Sequence, residues 1–450
     1  MTSINYCIRM NLLINTTMSR SSIKNGLGLV ALLISLYFPP EPGGGSITAW
    51  NRALILQKLG YTVFVLCGFP SYPAGKVINP KYKGKLFYVE KIENITLIRL
   101  RLLPLKSKGY LRRVILFMNF ISLSFVYIPR ILKISNEISL VYALAPMLFS
   151  SFIGFIYSKI TKSFFIYEVS FLWPEELIAF RTSLHFTLSF GKILAKISYT
   201  LPDMLVTISE FAAQYLTINY KPKATIYALP IGVEPSRFPA KSKESSRKEL
   251  IERKIFPTVL YNKFIVLYAG IITKITNVEN LVHAAVMLKD ENDIAFLIVG
   301  EGEEKSKLED IKLTHKLNNL FFLPFQDSAF VPDIISSADV CVVPLSPDPI
   351  YNATIPTKFF DYLACHKPQI GICGEELAMI INSNKIGLTV KDKEIDKLVG
   401  GILSLKNSPS LISSMEHNSH AVLQEFSLNN LASKFNKILK KEIMSKEKEK

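Results

Sequence analysis

Five cysteines in 450 residues, an odd number with no Cys-x-x-Cys pair, carry no pattern of a disulfide framework or of a thiolate metal knuckle. Cys67 and Cys341 lie inside apolar, strand-like runs and read as small buried hydrophobes of a reducing compartment. Histidine is equally sparse. His417 and His420 stand three apart, but in a polar late segment with no third ligand nearby, so no metal site is expected. No run of about 20 uninterrupted apolar residues is present, the length a membrane-crossing helix needs. Residues 28–38 follow Arg20 and Lys24 as the apolar part of a signal peptide would. They lead into Pro39-Pro40 and a glycine loop instead of a small-residue cleavage site, so they fit a first core strand. Acid is in short supply, with 37 Asp and Glu against 53 Lys and Arg, a net charge of +16. That excess suits an anionic partner such as a phosphorylated substrate or anionic lipid. The basic residues flank aliphatic sequence without regular aromatic interleaving, which ranks nucleic acid low.

Hydrophobic residues make up 49% of the chain and charged residues 20%, with a mean hydropathy of +0.26, a globular composition. The length suits two domains of roughly 200 residues each. Apolar runs at 29–35, 61–67, 140–144, 164–169 and 204–209 are separated by helix-like sequence. The same rhythm restarts at 264–270, 295–300, 320–325, 340–345 and 369–373. Continuous apolar strands alternating with helices predict α/β architecture, with two doubly wound, mostly parallel sheets. The expected division is a flexible leader (1–22), an N-terminal domain (23–230), a linker (231–262), a C-terminal domain (263–426), and a final helix with a charged tail that frays (427–450).

Ligands of open parallel sheets bind beyond the carboxyl ends of the strands, so the cleft between the two sheets is where chemistry is expected. Gly43-Gly44-Gly45 lies between the first strand and its helix, where glycine lets backbone approach a ligand and the helix N-terminus favours negative charge. A tight turn would need fewer glycines. The spacing is not G-x-G-x-x-G, which weighs against a dehydrogenase. Gly300 and Gly302 end the second strand of the later half. Residues 352–363 place Thr354 and Thr357 around Pro356, a helix starter, with Lys358 and Asp361 three apart on one helix face. A helix N-terminus with Lys358 could neutralise a diphosphate and Asp361 could take ribose hydroxyls; alone, the same pair could be a surface ion pair.

Taken in order, the pieces resemble the family 4 retaining glycosyltransferases, which have the GT-B fold of two Rossmann-like domains facing a cleft. The resemblance runs from about residue 29 to 427. It comprises Tyr37-Phe38-Pro39-Pro40-Glu41 with Gly43–Gly45; Gly68-Phe69-Pro70-Ser71-Tyr72-Pro73 with Gly75-Lys76; Tyr167-Glu168-Val169 with Leu172-Trp173-Pro174-Glu175; Ile208-Ser209-Glu210; Leu229-Pro230-Ile231-Gly232-Val233; Tyr268-Ala269-Gly270; Gly300-Glu301-Gly302; Ala338-Asp339; and Thr354-Ile355-Pro356-Thr357-Lys358. The Phe-Pro-Ser-Tyr-Pro and Leu-Trp-Pro-Glu pieces look like the branch that builds colanic acid and O-antigen.

The resemblance implies a nucleotide-sugar co-substrate, such as a UDP- or GDP-sugar, with no other cofactor and no obligatory metal. It implies donor contacts from Gly270, Lys274, Gly300, Gly302, Thr354, Ile355, Pro356, Thr357, Lys358 and Asp361. The acceptor and phosphate loop would draw on Gly43, Gly44, Gly45, Glu168, Trp173 and Glu175. No nucleophile is named. Several usual partners are missing. Of the Glu-x7-Glu pair the second position is Asp361, but the first is Ala353. The Arg and Lys that usually follow the Gly270 strand fall on Ile271 and Thr276, and Ser170-Phe171 replaces a charged pair. These departures leave two alternatives open: an impaired homologue acting as a binding scaffold, and a sugar-nucleotide epimerase of the same architecture.

Residues 99–113 hold six bases and no acid: Arg99, Arg101, Lys106, Lys108, Arg112 and Arg113. The uncharged stretch 114–128 follows. Fifteen helical residues reach about 22 Å, short of a roughly 30 Å hydrocarbon core. A helix near 111–134 with Arg112 and Arg113 at its head is therefore expected to lie in an anionic membrane surface. The chain would work at the inner face of the plasma membrane on a lipid-linked oligosaccharide acceptor.

Overall fold

The structure, a computed structural model, describes residues 29–71, 77, 79–103, 110–135, 137–145, 149–175, 185–239 and 241–448. The leader, Tyr72, Pro73, Gly75, Lys76, Lys106 and Lys108 lie outside the described residues, as do the side chains of Arg112 and Arg113.

Two sheets organise the chain. The first contains β1 (Val30–Ile34), β2 (Thr62–Gly68), β3 (Phe87–Ile92), β4 (Ile95–Leu100), β5 (Leu140–Leu144), β6 (Phe164–Val169), β7 (Met204–Thr207) and β8 (Thr225–Ala228). Their order is β3-β4-β2-β1-β5-β6-β7-β8, parallel throughout except for the β3–β4 hairpin. The second contains β9 (Phe264–Ala269), β10 (Ile294–Val299), β11 (Leu320–Leu323), β12 (Val340–Pro344), β13 (Gln369–Ile372) and β14 (Gly387–Val390), all parallel, in the order β11-β10-β9-β12-β13-β14. Both sheets are covered on two faces. In β1, Leu32 and Ile34 enter one core while Ala31 and Leu33 enter the other, which is why such strands read as unbroken apolar runs.

The hairpin was not legible as strands. β3 alternates exposed Val89 and Lys91 with partly buried Tyr88, Glu90 and Ile92, and its turn uses Glu93 and Asn94 at φ 46° and 65°, positive at both central residues as two-residue hairpins need. Arg99 leaves the expected basic collar: it is fully buried in β4, donating to Glu90 Oε1 at 2.5 Å, Gly68 O at 3.2 Å and Pro39 O at 2.5 Å. The helix expected near 111–134 is two helices, Tyr110–Val126 and Ile128–Ser135, bent by 66° at the break. No single helix among the described residues is long and apolar enough to cross a bilayer.

The tail also differs from expectation. Helix Leu428–Lys448 crosses back onto the first domain, burying Leu428, Leu431, Phe435 and Leu439 against helix Gly44–Lys58 and its sheet. Tyr227 Oη donates to Glu442 Oε1 at 2.7 Å, and Lys446 pairs with Asp203. The charged residues of the last turns are the solvent face of an amphipathic helix, which composition alone suggested would fray.

Candidate functional site at the interdomain seam

Two helix N-termini meet between the domains. Gly43, at φ 117°, turns the chain into helix Gly44–Lys58, and no side chain caps it. Helix Thr357–Ala364 begins after Pro356, which sits one position outside the helix, and is likewise uncapped, with no acid in its first turn. A β-carbon on Gly44 would stand 3.6 Å from Thr357 Cγ2, and one on Gly43 3.5 Å from Ile271 Cδ1. Free N–H groups of both helices therefore converge on one region, which favours an anion.

Lys358, in the first turn of the second helix, lies along Gly270. A β-carbon there would be 3.1 Å from its Cε, and its Nζ is 5.0 Å from the centre of the Tyr268 ring. Burial pushes the Lys358 ammonium down to about 8, with Asp361 acting the other way. Burial likewise raises the Asp361 carboxyl to about 7, opposed by Arg237 and then Lys358. No direct ion pair joins Lys358 and Asp361, so they are half-buried groups with unspent charge, a pattern concentrated at binding sites. Arg237 went unnoticed in the sequence because it is one base in a linker turn; only the tertiary fold brings its field onto Asp361.

Other expected donor residues have structural contacts of their own. Gly300 and Gly302 let the loops approach each other closely: β-carbons on them would stand 1.9 Å from Gly270 O and Ile272 O. The loops after β9 and β10 are zipped by Gly270 N to Val299 O and Ile272 N to Glu301 O, both 2.9 Å. Ile355 is 2% exposed and packs in the second core, so only its backbone can reach a ligand. Lys274 is exposed on the loop after β9.

The acceptor loop needs more correction. Glu168 does not face the cleft. It is fully buried, its carboxylate held by Arg52 Nε at 2.7 Å, Arg52 Nη2 at 3.1 Å and Tyr142 Oη at 2.5 Å. Arg52 also donates to Leu229 O at 2.5 Å and Pro230 O at 2.9 Å, and Asn51 to Gly232 O at 2.9 Å. The pair thus anchors the linker to the glycine-loop helix. Trp173 packs against the first core, and its carbonyl accepts from Tyr199 Oη at 3.2 Å. Glu175 is buried and accepts from Tyr220 Oη at 2.6 Å. Gly45 sits beside the Tyr37 ring.

From this segment it is Ser170, Phe171 and Leu172 that reach the seam. With Ile208, Ala353 and Thr354 they line a residual cavity of about 10 Å³, room for about one water. Two hydrogen bonds shut the seam beside it: Ser209 Oγ to Ala353 O at 2.7 Å, and Phe211 N to Glu376 Oε2 at 3.1 Å. Of the positions that depart from the pattern, Ser170, Phe171 and Ala353 pack at this closed contact, whereas Ile271 lies beside Gly43 and Thr276 bonds to Thr273. Among the described residues, no group of three or more His, Cys, Asp or Glu could hold a metal ion.

Residues 251–422 match the family described as Glycosyl transferases group 1. A 145-residue stretch is 31% identical to a protein of Escherichia coli (strain K12) named as a colanic acid biosynthesis glycosyl transferase, WcaI; the match covers 31% of this chain and 35% of that protein's length. Among solved structures, sucrose-phosphate synthase from Thermosynechococcus elongatus superposes with a TM-score of 0.72 at 17% identity, over 93% of this chain and 100% of that one. Anabaena HepE in complex with UDP-glucose gives 0.65 at 14% identity, over 91% and 99%. The described residues have the GT-B architecture, two parallel-sheet domains about a seam.

Proposed function

We propose that this chain, whose residues 251–422 form a glycosyl transferases group 1 domain, transfers a sugar from a nucleotide-sugar donor to a lipid-linked glycan in surface-polysaccharide synthesis, at the cytoplasmic face of a membrane. One observation carries the reading: two uncapped helix N-termini converge where Lys358 and Asp361 present half-buried, unpaired charge. The UDP-glucose bound by the HepE relative and the polysaccharide role in the WcaI name support it.

In this reading the domains part to admit the donor. The diphosphate settles between the helix N-termini and the Lys358 ammonium, while Asp361 accepts hydrogen bonds from ribose hydroxyls. Closure remakes the Ser209–Ala353 and Phe211–Glu376 contacts, excluding water that would hydrolyse the donor. As the bond from the anomeric carbon to the phosphate oxygen breaks, charge grows on the diphosphate, and fixed N–H dipoles and Lys358 stabilise it without reorganisation. The chemistry is taken to retain configuration and to need no metal.

Ala353, Ile271 and Phe171, in place of charged groups, favour a second reading, a binding scaffold that no longer catalyses. Nucleotide release with a panel of UDP- and GDP-sugars and membrane lipid extract as acceptor separates the readings. Acceptor-dependent release supports the transferase. A folded protein that turns over no donor supports the scaffold, and interconversion of free nucleotide sugar without acceptor would mean an epimerase. Asp361→Ala should weaken donor binding strongly; unchanged affinity would remove its ribose role.

A further inference from the structure

One face of the first sheet is covered by helices Tyr110–Val126, Ile128–Ser135, Phe149–Thr161 and His185–Thr200, whose inward side chains, among them Phe120, Ile131, Tyr157 and Ala195, share a single core. Tyr157 Oη donates to Ser124 O at 2.9 Å, locking the third helix to the first. Across all four there is no aspartate or glutamate, against seven lysines and arginines: two, two, one and two in turn.

Two of the helices expose large apolar side chains on their outward sides. Helix Tyr110–Val126 exposes Ile115, Met118 and Val126, spaced i, i+3, i+11. Helix His185–Thr200 does the same with Phe190, Ile193 and Ile197, exposed by 55%, 58% and 42% and spaced i, i+3, i+7. That ridge lies opposite the strip formed by Gly191, Ala195 and Ser198, which faces the core, and Lys192 and Lys196 stand exposed beside it. Three bulky apolar side chains in register, flanked by two cations and no anion, do not suit free water. Glu175, outside the four helices, is buried and accepts from Tyr220 Oη, while Glu137 and Glu210, also outside them, are exposed to solvent.

We infer that helix His185–Thr200 is a second membrane contact, and that the four-helix layer as a whole, not the 110–128 segment alone, seats the N-terminal domain on an anionic bilayer. The occupant follows from charge complementarity. Phe190, Ile193 and Ile197 sink to the acyl boundary, while Lys192 and Lys196 reach lipid phosphates, as expected of an amphipathic helix lying in an interface. The inference extends the membrane-face reading but is independent of catalysis.

The test is flotation of the full chain with phosphatidylcholine vesicles and with vesicles also containing phosphatidylglycerol. Lys192→Gln/Lys196→Gln should lower partitioning onto the phosphatidylglycerol vesicles by roughly tenfold, from a few-fold per cation, and leave the weak binding to phosphatidylcholine unchanged. Phe190→Ser/Ile193→Ser/Ile197→Ser should lower binding to both by more than tenfold. Leu313→Ser, which alters a 74% exposed leucine of the other domain, should bind like the parent. Unchanged melting temperatures and nucleotide affinity in the variants separate loss of seating from loss of fold or of donor binding. Parent-like flotation of the lysine pair and the triple variant would overturn the inference, as would failure of the parent chain to float.

Discussion

Replacing Lys358 with methionine should move stability and ligand binding in opposite directions. Its ammonium is half-buried, faces the Tyr268 ring and has no ion-pair partner among the described residues. A folded value near 8 against an ordinary 10.5 means the fold resists the charged form. The sign follows: the group is no burden above 10.5, the burden grows as pH falls from there towards about 8, and it is fully present below about 8. At pH 7 it corresponds to about 3 kcal/mol, from about 1.4 kcal/mol per unit. That is an upper bound, because water screens a partly exposed ammonium. Methionine keeps the stem and removes the charge, so Lys358→Met should raise the unfolding free energy at pH 7 by up to that amount, and by less than about 1 kcal/mol at pH 10. The same change removes a charge-assisted contact to the diphosphate, worth about 1.5–3 kcal/mol, so UDP or GDP affinity should fall roughly 10- to 150-fold. Urea denaturation at both pH values, with calorimetric titration of the nucleotide, reads both arms. Parent-like nucleotide affinity together with parent-like stability at pH 7 would refute the reasoning.

Other perturbations test the frame around the site. Glu168→Ala should cost about 3–5 kcal/mol by leaving Arg52 buried without its partner, whereas Arg52→Met/Glu168→Leu should recover most of it, as denaturation midpoints would report. Gly300→Ala forces a β-carbon onto Gly270 O, so the loops must part, and a loss of at least about 2 kcal/mol is expected in thermal unfolding. Ending the chain at Ser427 strips Leu428, Leu431, Phe435 and Leu439 from the first domain. At about 1.5–3 kcal/mol each this matches a whole domain's stability, so the truncated protein should be recovered as insoluble material. Ala353→Glu should not raise activity, because position 353 packs at the closed seam and a carboxylate there would hold the domains apart; faster nucleotide release by this variant would contradict that.

The sequence by itself determined the fold class. Apolar runs such as 140–144 and 164–169 are strands buried on both faces, and that burial is written directly as uninterrupted hydrophobicity. It also determined Gly43-Gly44 and Thr357-Lys358, because a helix start that leaves its N–H groups free has a local signature. Only the tertiary structure decided which charges stay available. Glu168 and Lys358 look alike in the chain, as charged residues near strand or helix ends. Glu168 is consumed by Arg52, 116 residues away, while Lys358, beside Gly270 and Tyr268, has no ion pair among the described residues. The same holds for Gly300, whose small size serves backbone packing against Gly270, and for the last helix, whose charges are one face of a strip docked on the first domain. Pairing and docking depend on partners distant in sequence, and no local pattern encodes them.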